Sequence, residues 1–450
     1  DDADFLGTEQ AGSARFSRII MDIPVDEGRL RVFLRLTELY PENHHFWAHL
    51  GRFYANQLKE HATAIEAIDR ALALCERDPL MHHMKGMVFR NWTYDKMRDS
   101  ASLEQVLETA KLASECFQAA RALSPEDTHG FISEVQLVTR VLDYSARTTG
   151  KTAVRASSDH SDKWLREGFD VAEGLLEEVR RKRQGETESE YETRCRADLS
   201  ALYGRHAEAL QTWQNLLDRR TAYAPPVRRQ IVRTILSRNE QRWANMSERD
   251  LSRTVELLEQ NMTEEPNDAR NIRLWLRALR VSRKRMAIEE VADKVAYWAT
   301  ATDSLEAYYY LYVLHALLAI AGSALAADRV ESALEKCRTQ ARYRRDRTQS
   351  HEWLGLEEGL SGLVHKEELG HWDRQANFWE KPQPLRRIGG VICQIRGQEA
   401  GTIEIGGMKA FFVPGVSGHS FGEAENRPVT FFLGFSYDGL RAWSVEDAKA

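Results

Sequence analysis

With 42% hydrophobic and 29% charged side chains spread over 450 residues, the chain has the balance of a protein that builds a core. Its length fits two or more domains, or one long repeat array. A net charge of −6 excludes polyanion binding by overall charge, and no apolar run reaches the ~20 residues that a bilayer-spanning helix needs.

Five cysteines are scattered singly, with no CxxC and no paired Cys/His ligand spacing. That pattern argues against a disulfide framework and for a reducing, cytoplasmic setting. The start at Asp1, with neither Met nor signal peptide, reads as a cut inside a longer protein.

Residues 1–15 are acidic and aperiodic, a lead-in. Residues 16–40 read as helices broken at Pro24, with Leu30, Phe33, Leu34, Leu36 and Leu39 forming an apolar stripe. Residues 46–79 carry the clearest pattern. Trp47, Leu50, Gly51 and Tyr54 have the spacing W-x2-L-G-x2-Y, and Ala64, Ile68 and Ala71 follow at A-x3-F-x2-A spacing. Small residues let two antiparallel helices approach, while the large ones fill the space between hairpins. One hairpin cannot bury that face alone, so this is a tetratricopeptide-type repeat that needs stacked neighbours.

Residues 82–89 read as a further first helix with Gly86 in the small slot. Its partner comes late, with Ala113, Phe117, Ala120 and Pro125 completing the pattern. The intervening stretch has roughly fifteen more residues than the 34-residue period allows, which lengthens the helices or makes a loop. Beyond Phe131 the signature decays while helical periodicity continues through Val135, Val138 and Leu142. Residues 147–162 form a polar connector, and 164–183 an amphipathic helix ending in Arg180 to Arg183. A further hairpin spans 191–217, Pro225-Pro226 starts the next helix, and helices follow over 250–262, 269–281, 287–301 and 305–336. The most apolar of them, around 308–327, reads as a buried helix.

After Ser350 glycines rise and short strands replace helices: 390–395, 401–405, 409–413, 429–435 and 440–445, with Asp438-Gly439 as a tight turn. Five strands in this span fit a small closed barrel of the oligonucleotide/oligosaccharide-binding (OB) type. The expected fold is therefore mainly α, a tetratricopeptide-like solenoid followed by an OB or cold-shock-like barrel. Its divisions are a lead-in (1–15), a solenoid (16–340), a linker or extension (341–387) and a barrel (388–447).

No complete catalytic set emerges, and no cofactor or metal is expected. Candidates for contacting RNA or single-stranded DNA are Phe411, Phe412, Tyr437 and Trp443, which would stack bases, with Arg338, Arg342, Arg344 and Arg345 for phosphates. If the arginine segment is helical, Arg338, Arg342 and Arg345 share a face. The alternatives stay open: the aromatics fill the barrel, and the arginines pair with Glu331 and Glu335. Thr402 and Glu404 stand where cold-shock-type barrels carry aromatics, and Pro414 where His is usual. Ser145-x4-Gly150-Lys151-Thr152 lacks the first glycine of a phosphate-binding loop and follows a helical stretch. His45 and His49 form an i, i+4 pair beside His44, without a third ligand or an HExxH pattern.

Degenerate repeats, then EWLGLEEGLSGLVHKEELGHWD over 352–373, then a terminal barrel ending FFLGFSYDGLRAWSV, together resemble the C-terminal half of the sterile alpha motif domain-containing protein 9 family and its prokaryotic relatives among antiviral STAND-type NTPases. The resemblance spans residues 16–447. It implies a non-catalytic sensor and regulatory region whose solenoid binds a protein partner or the parent's own NTPase domain. None of that family's chemistry maps onto residues of this chain.

Overall fold

The computed structural model describes residues 20, 23, 25–183, 188–219, 223–265, 268–282, 286–342, 344, 346–373, 377–419 and 425–448. The lead-in over 1–15 and Arg345 lie outside these. Contacts divide the chain into two units, Asp1–Ala222 and Tyr223–Ala450.

The first unit is a succession of helices: α1 (Asp26–Leu39), α2 (His44–Phe53), α3 (His61–Leu74), α4 (Pro79–Arg98), α5 (Leu103–Leu123), α6 (His129–Thr149), the short α7 (Ala153–Ser158) and α8 (Lys163–Arg166), α9 (Gly168–Lys182), α10 (Glu190–Leu202) and α11 (His206–Asp218). Their starts follow local chemistry. The Asn43, Asp78 and Thr152 side chains accept backbone N–H bonds at the heads of α2, α4 and α7, and Ser102 with Gln105 forms a capping box on α5.

The expected hairpin over 46–79 is α2 and α3. A single π turn (Tyr54–Leu58) prolongs α2 before Lys59 turns the chain in the left-handed region. Ala64, Ile68 and Ala71 are fully buried, as is Leu50. Trp47 is half-buried, and its indole donates to the Pro41 carbonyl at 2.8 Å. The extra residues after position 90 lengthen helices rather than adding a loop, since α4 runs 20 residues and α5 runs 21. Ala113, Phe117 and Ala120 are buried between them and their neighbours.

The second unit begins with α12 (Ala224–Arg238), α13 (Glu248–Glu264), α14 (Ala269–Val281), α15 (Ile288–Thr302), α16 (Leu305–Ile320) and α17 (Ala324–Gln340). Strands follow: β1 (Glu352–Leu354), β2 (Leu363–His365), β3 (Trp372–Asp373), β4 (Phe378–Trp379), β5 (Arg387–Arg396), β6 (Ala400–Ile405), β7 (Met408–Phe412), β8 (Pro428–Ser436) and β9 (Gly439–Asp447). The one-turn helix α18 (Pro414–Ser417) lies between β7 and β8.

Strand pairing closes β5-β6-β7-β9-β8 back onto β5. Every pairing in the ring is antiparallel except β7 with β9, which is parallel and meets at Phe411 opposite Arg441. This is the five-stranded Greek-key barrel of the OB type. Ile392, Ile403, Ala410, Phe412, Phe431 and Leu433 are buried within it. β1 and β2, inside the 341–387 stretch, extend the sheet beyond β8.

Candidate functional site

In the first unit, the turn between α3 and α4 and the turn between α5 and α6 open onto a cavity of about 530 Å³. Arg77, Asp78, His83, Arg121, Asp127 and Gly130 contribute to its lining. Four of these side chains are held by neighbours. Asp78 caps α4 through the Leu80 N–H at 2.8 Å, and Asp127 accepts from the His129 N–H at 2.9 Å. Arg121 pairs with Glu134, and its guanidinium lies 5.1 Å from the centre of the Phe131 ring. His83 Nε2 stands 3.0 Å from Ser133 Oγ, and burial lowers the His83 pKa to about 4, so the imidazole is neutral. Both side chains are buried, and the Phe117 ring packs on His83, so this pair joins helices rather than facing a reactant. The cavity offers cations and anions together at one rim. Arg77, Asp78 and Asp127 fall outside the repeat spacing, and the Asp78-Pro79 pair at the head of α4 is the local signal that marks this rim.

The barrel separates the aromatic candidates. Phe411 and Trp443 line one groove of about 270 Å³ at the β7–β9 seam. Arg441 joins them, its guanidinium 4.9 Å from the Phe411 ring centre and 3.4 Å from Asp438. Arg441 was missed, though it lies two residues from Trp443 and so on the same face of a strand. Phe412 borders the same groove, but its side chain is buried in the barrel, 1% exposed. Tyr437, 4% exposed, turns toward the helices, and its hydroxyl donates to Glu306.

The arginines spread likewise. The helical face expected for Arg338, Arg342 and Arg345 is cut short because α17 ends at Gln340. Arg338 donates to the Asp438 carbonyl at 2.9 Å and pairs with Glu331 at 3.0 Å. Arg344 makes two bonds to Asp346 and lies 4.8 Å from the Tyr437 ring centre. The Arg342 carbonyl accepts from Arg347 at 3.4 Å.

Titratable groups cluster where α16 meets the β8–β9 hairpin. Tyr309 donates to the Phe435 carbonyl at 2.9 Å, and Tyr312 to the Ser436 carbonyl. Tyr310 donates to Glu352 at 2.9 Å. Burial pushes the Glu352 carboxyl and all three phenols up, and holds the nearby His351 imidazole down at about 3. The three phenols bond to Glu352 or to strand carbonyls, which fastens helix to barrel.

The Gly150-Lys151-Thr152 stretch is a helix boundary. Gly150 (φ 65°) ends α6, Thr152 caps α7, and Lys151 pairs with Asp159 at 2.8 Å. Arg180 lies in the last turn of α9, and Arg183 caps that end while pairing with Glu192. No helix among the described residues is long and apolar enough to cross a membrane.

No family model and no curated protein matches this sequence. Among solved structures, a thermophilic TPR protein from Thermus thermophilus aligns at TM-score 0.37 and 15% identity, over 52% of this chain and 98% of that one. A tetratricopeptide repeat protein from Parabacteroides merdae aligns at 0.36 and 10%, over 60% and 99%. Yeast Tom70 aligns at 0.32 and 14%, over 72% and 61%. The fold assignment rests on the helix pairs and strand topology described above.

Proposed function

We propose that this chain is a non-catalytic binding and regulatory region, and that it serves a larger STAND-type NTPase of antiviral defence. The cavity of the first unit carries the binding half of this reading. Its volume falls in the range that takes ligand side chains. Arg77 and Arg121 offer donors while Asp127 offers an acceptor, which suits an extended protein segment with mixed polarity. The tail segments quoted above support the regulatory half. A trigger that binds one arrangement of the parent better than another would shift its population toward the active state. In the whole parent protein, removing residues 26–448 should change NTPase or effector output. Charge reversal with Arg77→Glu and Asp127→Lys should weaken capture of the parent's NTPase region. Unchanged output together with unchanged capture overturns the proposal.

The shared groove of Phe411, Trp443 and Arg441 favours a second reading, single-stranded nucleic acid held at the barrel seam. Fluorescence anisotropy with labelled oligo-dT and oligo-rU at low salt tests it. Binding should weaken steeply with added salt. Removing both rings with Phe411→Ala and Trp443→Ala should abolish it. A flat titration at low salt removes this reading.

A further inference from the structure

We propose that His44, Cys75 and Asp78 form a binding site for a divalent cation of borderline softness, with zinc as the best fit. Three helix ends of the first unit converge there: the first residue of α2, the residue closing α3 and the residue capping α4. One ligand atom from each side chain lies within 4.8 Å of the other two, and all three residues are half-buried.

The geometry between His44 and Asp78 is informative. His44 Nε2 stands 3.6 Å from Asp78 Oδ2, too far for a good hydrogen bond. Ligand atoms held ~2.0–2.3 Å from a tetrahedral ion are separated by about 3.3–3.7 Å, so that spacing suits two ligands of one ion. Closing the remaining gap takes side-chain movements of about 1 Å, within ordinary rotamer adjustment.

The backbone already brings the Cys and Asp together. The Asp78 N–H bonds to the Cys75 carbonyl at 3.2 Å, closing a tight turn. Asp78 Oδ1 is committed to the Leu80 N–H, which leaves Oδ2 turned toward His44. Carbonyl groups at the end of α3 favour a cation beside Cys75.

Donor chemistry selects the ion. A thiolate, an imidazole and a carboxylate suit zinc or cobalt and disfavour magnesium and calcium, which prefer all-oxygen shells. On binding, the Cys75 S–H bond breaks, its proton leaves to solvent and a sulfur–metal bond forms. Three protein ligands leave a fourth position for water. The histidine pair at 45 and 49, singled out by spacing, is not the ligand set. The ligands lie 31 and 34 positions away from His44 along the chain, beyond the reach of a local motif.

The test uses the whole chain without a histidine tag and the metal alone. Cobalt should bind at one equivalent and give a thiolate-to-cobalt charge-transfer band in the near ultraviolet. Zinc should displace it and magnesium should not. Cys75→Ser should remove the band. His44→Gln and Asp78→Asn should each weaken affinity at least tenfold, and Asn at position 78 keeps a good helix cap. Circular dichroism melts establish that each variant is folded, and zinc should raise the Tm of the parent chain but not of the His44→Gln, Asp78→Asn double variant. The absence of saturable binding, or a charge-transfer band that persists in Cys75→Ser, overturns the assignment.

Discussion

Gly86 on α4 lies so close to Phe117 on α5 that a Cβ at position 86 would stand 2.6 Å from a ring carbon. The ring is fully buried and also packs against His83, so it has little room to retreat. Overpacking of this kind costs about 1–3 kcal/mol, and alanine's better helix propensity returns ~1 kcal/mol of it, so Gly86→Ala should destabilise the chain by up to about 2 kcal/mol. Urea unfolding compares the two proteins directly, and an alanine variant as stable as the parent would show that the helices can separate freely here.

His83 should give stability an acid limb above that of the carboxylates. Its folded pKa, lowered to about 4 by burial, lies below the unfolded value of 6.5. Between those values the unfolded chain binds the extra proton, so stability is fully present above pH ~6.5 and is lost as pH falls toward 4. The expected contribution is roughly 3 kcal/mol. His83→Gln should flatten this part of the profile. Asp127 acts lower: its carboxyl is held down mainly by its bond to His129, so its contribution is lost below the ordinary carboxylate range. Chemical denaturation across pH 4–7 separates the two, and an equal slope in parent and His83→Gln would remove His83 as its source.

Much of this architecture was legible because local chemistry and packing agree. Ala64, Ile68, Ala113 and Phe117 are buried as their spacing requires, and the five barrel strands fall within a few residues of their expected spans. The sites were less legible. Phe412 and Tyr437 are aromatic in a barrel sequence, but alternation along the strand and the neighbouring helix decide that neither presents a free face. Arg338 reads as a helix-surface cation, yet a carbonyl 100 residues away in sequence takes its Nε–H. Long-range partners of that kind leave no local trace. β1 and β2 are short enough to escape period counting, and they join the sheet where β1 pairs with β8.

Lys151 should prove indifferent to nucleotides. Its ammonium is engaged by Asp159, and the preceding glycine ends a helix instead of cradling phosphate. Gly150→Ala should cost about 1 kcal/mol, since the left-handed conformation rather than any crowding makes glycine preferable there. Lys151→Met should leave ATP binding, read by calorimetry, the same as in the parent. A nucleotide signal lost in Lys151→Met would restore the phosphate-loop reading.

The bond from the Tyr437 hydroxyl to Glu306 should be among the most costly in the second unit to break. Both side chains are buried, and the phenol is the partner that takes up a Glu306 carboxylate oxygen. Hydrogen bonds to charged groups contribute roughly 1.5–3 kcal/mol, and a buried carboxylate left without its donor loses at least that much. Tyr437→Phe should fall in this range. Glu306→Gln should cost less, because an amide needs less solvation than a carboxylate, and the double variant should be more stable than the sum of the single losses predicts. A coupling close to zero in that double-mutant cycle would mean that the two groups do not support one another across the helix–barrel junction.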